Sequence, residues 1–172
     1  SSHPTRYPSR TKDGRRWGMK IYIASSWKNQ HAVEMLTLLL RNDGHEVLSF
    51  VENNYGEGHS AKKPMDFEKW VWTDAAQRSF IYDTDGATKS DLVVYISPSG
   101  KDAAAEVGAA WASGVQILGL YAKGEDFGLM RRMVHQWFEH YTELLTTIKS
   151  MTEGGEGMSN WIEIIKKDEK ES

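Results

Sequence analysis

The chain has 172 residues, of which 40% are apolar and 26% charged, and its formal net charge is −3. A chain of this length suits one globular domain, and this composition is not typical of a disordered protein. The small net charge gives no electrostatic reason to expect a nucleic-acid partner. Because there is no cysteine, disulfides and thiolate metal sites are excluded.

No apolar run approaches the roughly 18 residues that span a bilayer, and residues 1–18 lack the apolar core of a secretory signal. We therefore expect a cytoplasmic protein with no membrane partner. Residues 1–18 contain five basic residues and two prolines without hydrophobic periodicity. We interpret them as a disordered leader or an expression remnant, with a basic nucleic-acid arm as the alternative.

Strand and helix patterns alternate through the first half of the remaining chain. Lys20–Ala24 is a run of β-formers, residues 28–43 have apolar positions at helical spacing, and Gly44 follows as a helix C-cap. Residues 46–51 predict a second strand, and the polar, Gly-rich residues 52–64 predict a long loop. A helix is predicted from 67 to about 79, and another short helix or turn over 81–89.

The second half begins with the clearest buried strand, residues 91–97, a nearly continuous apolar run typical of parallel sheets. A turn over 98–100, a helix over 102–113 and a strand over 115–121 follow. Residues 133–141 are predicted as a fifth strand or as part of a long helix, and residues 142–151 as helical. Residues 152–172 form a C-terminal tail with a possible apolar docking face, which leaves residues 19–151 as the domain.

This order of elements predicts an α/β, doubly wound fold, in which a flavodoxin- or Rossmann-like parallel sheet of four to five strands is flanked by helices. Ligands bind such sheets beyond the carboxyl ends of the strands. The rule directs attention to residues 24–28, 52–64 and 97–106.

Glu106 is the first candidate for chemistry. It is predicted to lie in or near the opening turn of the helix after the most buried strand, where free N–H groups and the helix dipole favour an ionised carboxylate. Its neighbours are small alanines and Gly108, which let a substrate approach. Such a carboxylate can attack an electrophilic carbon, although a Glu near a helix start can also serve only to favour the helix.

Asp83, Asp91 and Tyr22 are the next candidates. Asp83 has the chemistry to pass a proton to a leaving group, or it lies in a solvated loop. Asp91 directly precedes the apolar run, a usual place for a capping residue. The Tyr22 hydroxyl can orient a carboxylate, or its ring can fill the core.

Ser26, Trp27 and Lys28 follow the first strand, at a turn where backbone N–H groups can bind an anion. The glycines of a phosphate-binding loop are missing there. Trp27 can stack on a base or pack on the helix. The six histidines show no metal-ligand spacing, so we predict no metal and no other cofactor.

Taken together, IYIASSW at 21–27, Asp83, SDLVVYI at 90–96 and AAAEVGAAWASGVQILGLY at 103–121 resemble the nucleoside 2-deoxyribosyltransferase superfamily. The similarity covers about residues 19–122, with weaker agreement to about 150. It implies cleavage or transfer at the N-glycosidic bond of a nucleoside or nucleotide, and a homo-oligomer of two or more subunits. Trp137, Phe138 and Tyr141 are candidate contacts between subunits, or they lie in the interior.

The resemblance also implies roles for individual residues. Glu106 is the nucleophile that forms a covalent glycosyl intermediate, Asp83 serves the departing base, and Tyr22 positions the glutamate. Asp91 is carried over as a candidate for substrate binding.

Two branches of the superfamily remain open. In its 5′-monophosphate N-hydrolases, serines matching Ser26 and either Ser97 or Ser99 hold the phosphate, and Lys28 would add charge. Trp27 instead matches an aromatic residue of the transferase branch. A non-catalytic nucleotide-binding module on the same fold is the alternative from another class, and a TIR-like NAD glycohydrolase is a further one.

Overall fold

A computed structural model describes residues 18–56, 67–125 and 128–152, with the backbone alone for residues 54–56. The predictions for residues 1–17 and for the tail beyond residue 152 lie outside these ranges. Among the described residues, no helix combines the length and apolar character needed to cross a membrane.

Five strands form one sheet in which every pairing is parallel. The strands are β1 (Lys20–Ala24), β2 (Glu46–Ser49), β3 (Leu92–Ile96), β4 (Gln116–Leu120) and β5 (Gln136–Phe138). Their spatial order, β2-β1-β3-β4-β5, is the order of flavodoxin-like folds. The predicted α/β, doubly wound class is therefore confirmed, and of the two alternatives for residues 133–141 the fifth strand is the one observed.

Helices cover both faces of the sheet. They are α1 (Gln30–Asn42), α2 (Phe50–Gly56), α3 (Phe67–Trp70), α4 (Asp74–Lys89), α5 (Lys101–Ala112) and α6 (Tyr141–Thr152). Short 3₁₀ turns, Trp27–Asn29 and Leu129–Met133, precede α1 and β5.

The two faces have different cores. On one face, large aliphatic side chains of α1 and α6 pack against Ile21, Ile23 and Val94. On the other, Tyr22 and Val93 pack against alanines of α4 and α5. Small side chains let these two helices lie close to the sheet, which brings polar groups on them within reach of β1.

Two predictions around β2 are wrong. The strand ends at Ser49 rather than at residue 51, and residues 52–56 belong to helix α2 rather than to a loop. Phe50 and Val51 are buried in the core on the α1 face, so packing of this helix overrides its polar, Gly-containing sequence.

Helix α4 is also longer than predicted, because residues 74–89 form one helix instead of two pieces. Thr73 caps it by accepting a hydrogen bond from the Ala76 N–H, at 3.3 Å. Gly86 suggests an interruption, yet it is needed for packing. A Cβ at this position would lie 2.4 Å from Cδ2 of Tyr22.

Candidate active site

The candidate site lies where the chain direction across the sheet reverses. Connections leave β1 towards β2 and β3 towards β4, so a crevice opens beyond the carboxyl ends of β1 and β3. Tyr22 is on β1, and Glu106 is on α5, the helix that follows β3. Topology thus joins two residues that are 84 positions apart in the chain.

Tyr22 and Glu106 are in direct contact. The Tyr22 hydroxyl donates a 2.5 Å hydrogen bond to Oε1 of Glu106. Tyr22 is fully buried, and Glu106 keeps 9% of its surface exposed. The two possibilities for Tyr22 therefore coincide, since its ring fills the core while its hydroxyl fixes a carboxylate.

The predicted ionisation of Glu106 needs correction. Helix α5 begins at Lys101, so Glu106 lies beyond the first turn, where the helix dipole acts most strongly. Burial raises the pKa of Glu106 to about 8; the Tyr22 hydrogen bond opposes this shift, and the nearby charges of Asp83 and Asp102 add to it. Desolvation is the largest of these effects, so the pKa of Glu106 lies well above that of an exposed carboxyl group.

Asp83 is the second carboxyl group at this place. Burial raises its pKa to about 6, against hydrogen bonds from Tyr22 and Asn53 that lower it. The Asn53 amide lies 3.5 Å from Oδ1 of Asp83. Asp83 thus projects from α4 towards the same tyrosine that contacts Glu106.

The three groups form one acidic cluster. Burial raises the pKa of Tyr22 first, and the charges of Glu106 and Asp83 raise it further, so the phenol keeps its proton. One hydroxyl proton cannot satisfy two carboxylates at once, and a proton held on either carboxyl group relieves their repulsion. The cluster therefore titrates as a unit.

Hydrogen bonds tie the two loops that border the crevice. The Asn29 side-chain amide donates to Oγ of Ser25 at 3.0 Å and to the carbonyl of Pro98 at 2.7 Å. Ser25 in turn donates to the carbonyl of Ile96 at 2.7 Å. The connection after β1 is thereby held against the connection after β3.

Residues 26–28 lie on the first of these loops. The Ser26 hydroxyl caps the 3₁₀ turn by accepting from the Lys28 N–H at 3.2 Å. Trp27 is 45% exposed and packs edge-on against Phe50, with ring centroids 5.2 Å apart. These residues lie at the carboxyl edge of the sheet, as predicted for a ligand-binding loop. Ser26 and Trp27 also have local structural contacts there.

Three other predicted site residues, Ser97, Ser99 and Asp91, form structural hydrogen bonds outside the acidic cluster. The Ser97 hydroxyl donates to the Leu120 carbonyl and accepts from the Ala122 N–H, both at 2.9 Å, which fastens β3 to the end of β4. Ser99 is hydrogen-bonded to the Tyr95 hydroxyl. Asp91 precedes β3 at the amino edge of the sheet, where it accepts from the Lys20 N–H at 2.8 Å. Asp91 is therefore on the wrong side of the sheet for the substrate role that we carried over to it.

Sequence reasoning missed Asn29 and Asn53. Asn29 is in the turn after β1, a position that the rule on strand ends already selects. Asn53 was assigned to a loop, because the buried start of α2 was not recognised. Both are polar residues just beyond the carboxyl end of a strand, and that placement was the available signal.

Two other features lie apart from the cluster. Within the described ranges, no group of three His, Asp or Glu side chains is arranged to hold a metal ion. A groove of about 440 Å³ runs between β2 and α4, but its lining includes neither Glu106 nor Asp83. We place the chemistry at the Tyr22 contact, because convergent polar groups define a site better than volume does.

Comparisons with known proteins relate this geometry to solved structures. No family model and no curated protein matches the sequence. A 2-deoxyribosyltransferase from Bacillus psychrosaccharolyticus superposes with a TM-score of 0.54 at 23% identity, over 72% of this chain and 88% of its own. A CMP N-glycosidase from Clostridium botulinum gives 0.50 at 20% identity, over 75% and 97% of the two chains.

A conserved protein from Enterococcus faecalis V583 is also similar, with a TM-score of 0.53 at 17% identity, over 77% of this chain and 98% of its own. Identities at this level speak for the fold rather than for the activity. The chain therefore shares the α/β doubly wound fold of these solved structures, as its sequence predicts.

Proposed function

We propose that this protein breaks the N-glycosidic bond of a nucleoside, with Glu106 as the nucleophile, and passes the sugar to a second base. The observation that carries the proposal is the buried contact of Tyr22 with Glu106, with Asp83 at the same hydroxyl. Two carboxyl groups and a fixed phenol at the ligand-binding edge of a parallel sheet match what this reaction needs. The solved 2-deoxyribosyltransferase and CMP N-glycosidase of the same fold support the reaction class.

The proposed reaction has two steps. In the first, a Glu106 carboxylate oxygen bonds to the anomeric carbon while the bond from that carbon to the base nitrogen breaks. The electron pair goes to the base, and Asp83 supplies the proton that the leaving nitrogen takes up. In the second step, a nitrogen of an incoming base attacks the same carbon, its proton returns to Asp83, and the Glu106 carboxylate leaves. The transition states carry positive charge on the sugar, which an adjacent carboxylate stabilises.

Burial raises the pKa of both carboxyl groups, to about 8 for Glu106 and about 6 for Asp83. The proposed reaction uses the form of the cluster in which Glu106 is ionised and Asp83 carries a proton. The Tyr22 hydroxyl donates to Glu106 and also interacts with Asp83, so it links the two carboxyl groups.

The serines favour a nucleoside over a 5′-monophosphate. Ser97 uses its hydroxyl to join β3 to the end of β4, and Ser99 is bonded to Tyr95. A phosphate site would have to displace these bonds. We therefore favour transfer between nucleosides over hydrolysis of a nucleoside 5′-monophosphate. The hydrolysis is the second candidate, with Ser26 and Lys28 as the phosphate ligands.

The proposal is tested with a panel of nucleosides and their 5′-monophosphates, incubated with and without a second free base. Chromatography is expected to show exchange of bases between deoxynucleosides. Release of base with sugar phosphate would support the hydrolase instead. If the wild-type protein binds these compounds without turning them over, and Glu106→Ala binds them with the same affinity, the protein is the non-catalytic nucleotide-binding module instead.

We also propose that the protein forms a homo-oligomer. Of the three candidate contacts, Phe138 is buried and Trp137 packs over Gly119, whereas Tyr141 is 54% exposed. Large exposed apolar side chains also occur on other elements, among them Trp72 (87%), Leu129 (74%) and Phe80 (61%). Light scattering across a dilution series is expected to give at least a dimer, and a monomer at every concentration would contradict it.

A further inference from the structure

Asn29 stands at the N-cap of α1 but does not cap its own helix. Asparagine is among the residues preferred at this position, because its side-chain oxygen can accept from the first free N–H groups of the helix. Within the part of the chain that the structure describes, the Asn29 side chain makes no such bond. It reaches instead to the carbonyl of Pro98, 69 positions away in the chain, at 2.7 Å. A local contact is thus replaced by a contact between two distant segments.

The orientation of the Asn29 amide is fixed by its two acceptors. Its side-chain nitrogen donates to the Pro98 carbonyl and to Oγ of Ser25, at 2.7 and 3.0 Å, and a primary amide nitrogen has one hydrogen for each. With the amide turned over, its oxygen would face the Pro98 carbonyl oxygen, and two acceptors would meet. The contact with Pro98 therefore depends on the amide nitrogen rather than on the size of the side chain.

The two segments joined in this way carry the proposed catalytic pair. The first runs from Tyr22 on β1 into the turn that ends at Asn29. The second runs from the end of β3 through Pro98 into α5, the helix that carries Glu106. Ser25 supports the same junction, because its hydroxyl donates to a backbone carbonyl at the end of β3, at 2.7 Å.

The start of α5 depends on contacts outside the helix. Its N-cap residue is Gly100, which has no side chain for capping, and a Cβ there would meet no atom of the described residues within 4 Å. The connection before it is anchored by Ser97 to the end of β4 and by Ser99 to a side chain of β3. The bond from Asn29 is the anchor that ties this connection to the segment of Tyr22.

We propose that Asn29 is a positioning residue, whose side-chain amide fixes the start of α5 against the turn after β1 and thereby holds Glu106 at the Tyr22 hydroxyl. This role rests on the proposed function, since it concerns the aim of the nucleophile. Asn29 acts through the backbone of Pro98 and needs no contact with the substrate. A displacement of about 1 Å at a reacting group can lower a rate by about 10²-fold, so a contact remote from the reacting atoms can govern turnover.

Two substitutions separate the hydrogen bonds of Asn29 from its shape. Asn29→Asp keeps the shape but places an acceptor opposite the Pro98 carbonyl, whereas Asn29→Ala only removes the donors. We expect kcat for base exchange to fall by about 10- to 10²-fold in Asn29→Ala, and at least as far in Asn29→Asp. The same two changes at Asn42, the exposed last residue of α1, are the matched controls and are expected to keep the wild-type kcat.

The placement of Glu106 is also measured without turnover. Glutamate labelled with ¹³C at the carboxyl carbon is followed by NMR across pH, and the Glu106 signal is assigned by its absence from Glu106→Gln. Burial is the largest cause of the raised pKa of Glu106, and the Tyr22 hydrogen bond that opposes it is a smaller one. Loosening α5 is therefore expected to move this pKa in Asn29→Ala from about 8 towards the ordinary 4.5, and Asn42→Ala is expected to leave it in place.

Thermal unfolding first shows which variants are folded at the assay temperature, and Asn29→Ala carries the test alone if Asn29→Asp is not. A wild-type kcat in Asn29→Asp overturns the proposal, because the donors would then be dispensable. An unchanged pKa of Glu106 in Asn29→Ala overturns it too, even if kcat falls, because the loss would not come from the placement of Glu106. If the pKa moves but the wild-type protein turns over no nucleoside, only the proposed reaction fails.

Discussion

Two aspartates eight residues apart show how the two edges of the sheet differ. Asp91, at the amino edge, accepts a hydrogen bond from the Lys20 backbone and joins β3 to β1. Asp83, at the carboxyl edge, is desolvated beside Tyr22 and Glu106, and its pKa is raised to about 6. One carboxylate holds two strands together, and the other lies desolvated in a cluster of polar groups. The same residue type therefore has a different environment at each edge of the sheet.

The largest expected effect comes from removing the carboxylate at the carboxyl edge. Glu106→Gln keeps the size of the side chain but removes the proposed nucleophile, so kcat is expected to fall by at least about 10³-fold. Steady-state assays of base exchange measure this. Glu143→Gln, a change in an exposed residue at the start of α6, is the control and is expected to behave as the wild type.

The two aspartates themselves form the next comparison. Asp83→Asn removes the proposed proton donor and is expected to lower kcat/KM by about 10²–10⁴-fold. Asp91→Asn keeps an acceptor for the Lys20 N–H and is expected to leave kcat/KM unchanged. An equal loss of kcat/KM in both variants would contradict the assignment of Asp83 to the reaction and of Asp91 to strand pairing.

The pH dependence of turnover is expected to report the titration of the groups at the carboxyl edge. The cluster of Glu106, Asp83 and Tyr22 is expected to titrate with pKa values near 6 and 8, so kcat/KM follows a bell with limbs near these values. Tyr22→Phe removes a hydrogen bond that lowers both pKa values, so the optimum is expected to move to higher pH. A pH–rate profile of the two proteins decides this, and an unchanged optimum would argue against a role for the Tyr22 hydroxyl.

The smallest effect is on stability. The pKa of Glu106 is raised in the folded protein, so the folded state binds this proton more tightly than the unfolded state. The carboxyl group therefore contributes less to stability as pH rises from about 4.5 to about 8. Glu106→Gln is expected to raise Tm relative to the wild type by a few degrees at pH 9 and by less at pH 5. Thermal unfolding at both values provides the measurement, and a lower Tm at pH 9 would contradict the assigned burial.

Much of this fold was predictable because its signals are local. The apolar run of β3, the helical spacing of α1 and the alternation of elements gave the correct class and four clear strands. The failures occurred where distant packing overrides local preference. Helix α2 begins because Phe50 enters the core, and α4 continues through Gly86 because Tyr22 lies against it.

The site was predictable in part for the same reason. Its residues carry a recognisable order in the chain, so Glu106, Asp83 and Tyr22 were named together. Their protonation was not predictable, because it depends on burial between two helices and on a hydroxyl 84 positions away. Asp91 was kept as a substrate candidate although it directly precedes β3, a position that already indicates the amino edge of the sheet.

The most direct test of the central claim is to trap the sugar on the protein. A deoxynucleoside is added without an acceptor base, the reaction is quenched in acid, and intact-mass and peptide mass spectrometry follow. We expect a deoxyribosyl adduct on the peptide that contains Glu106, and no such adduct in Glu106→Gln. Base release without any adduct, together with retained activity of Glu106→Gln, would contradict it.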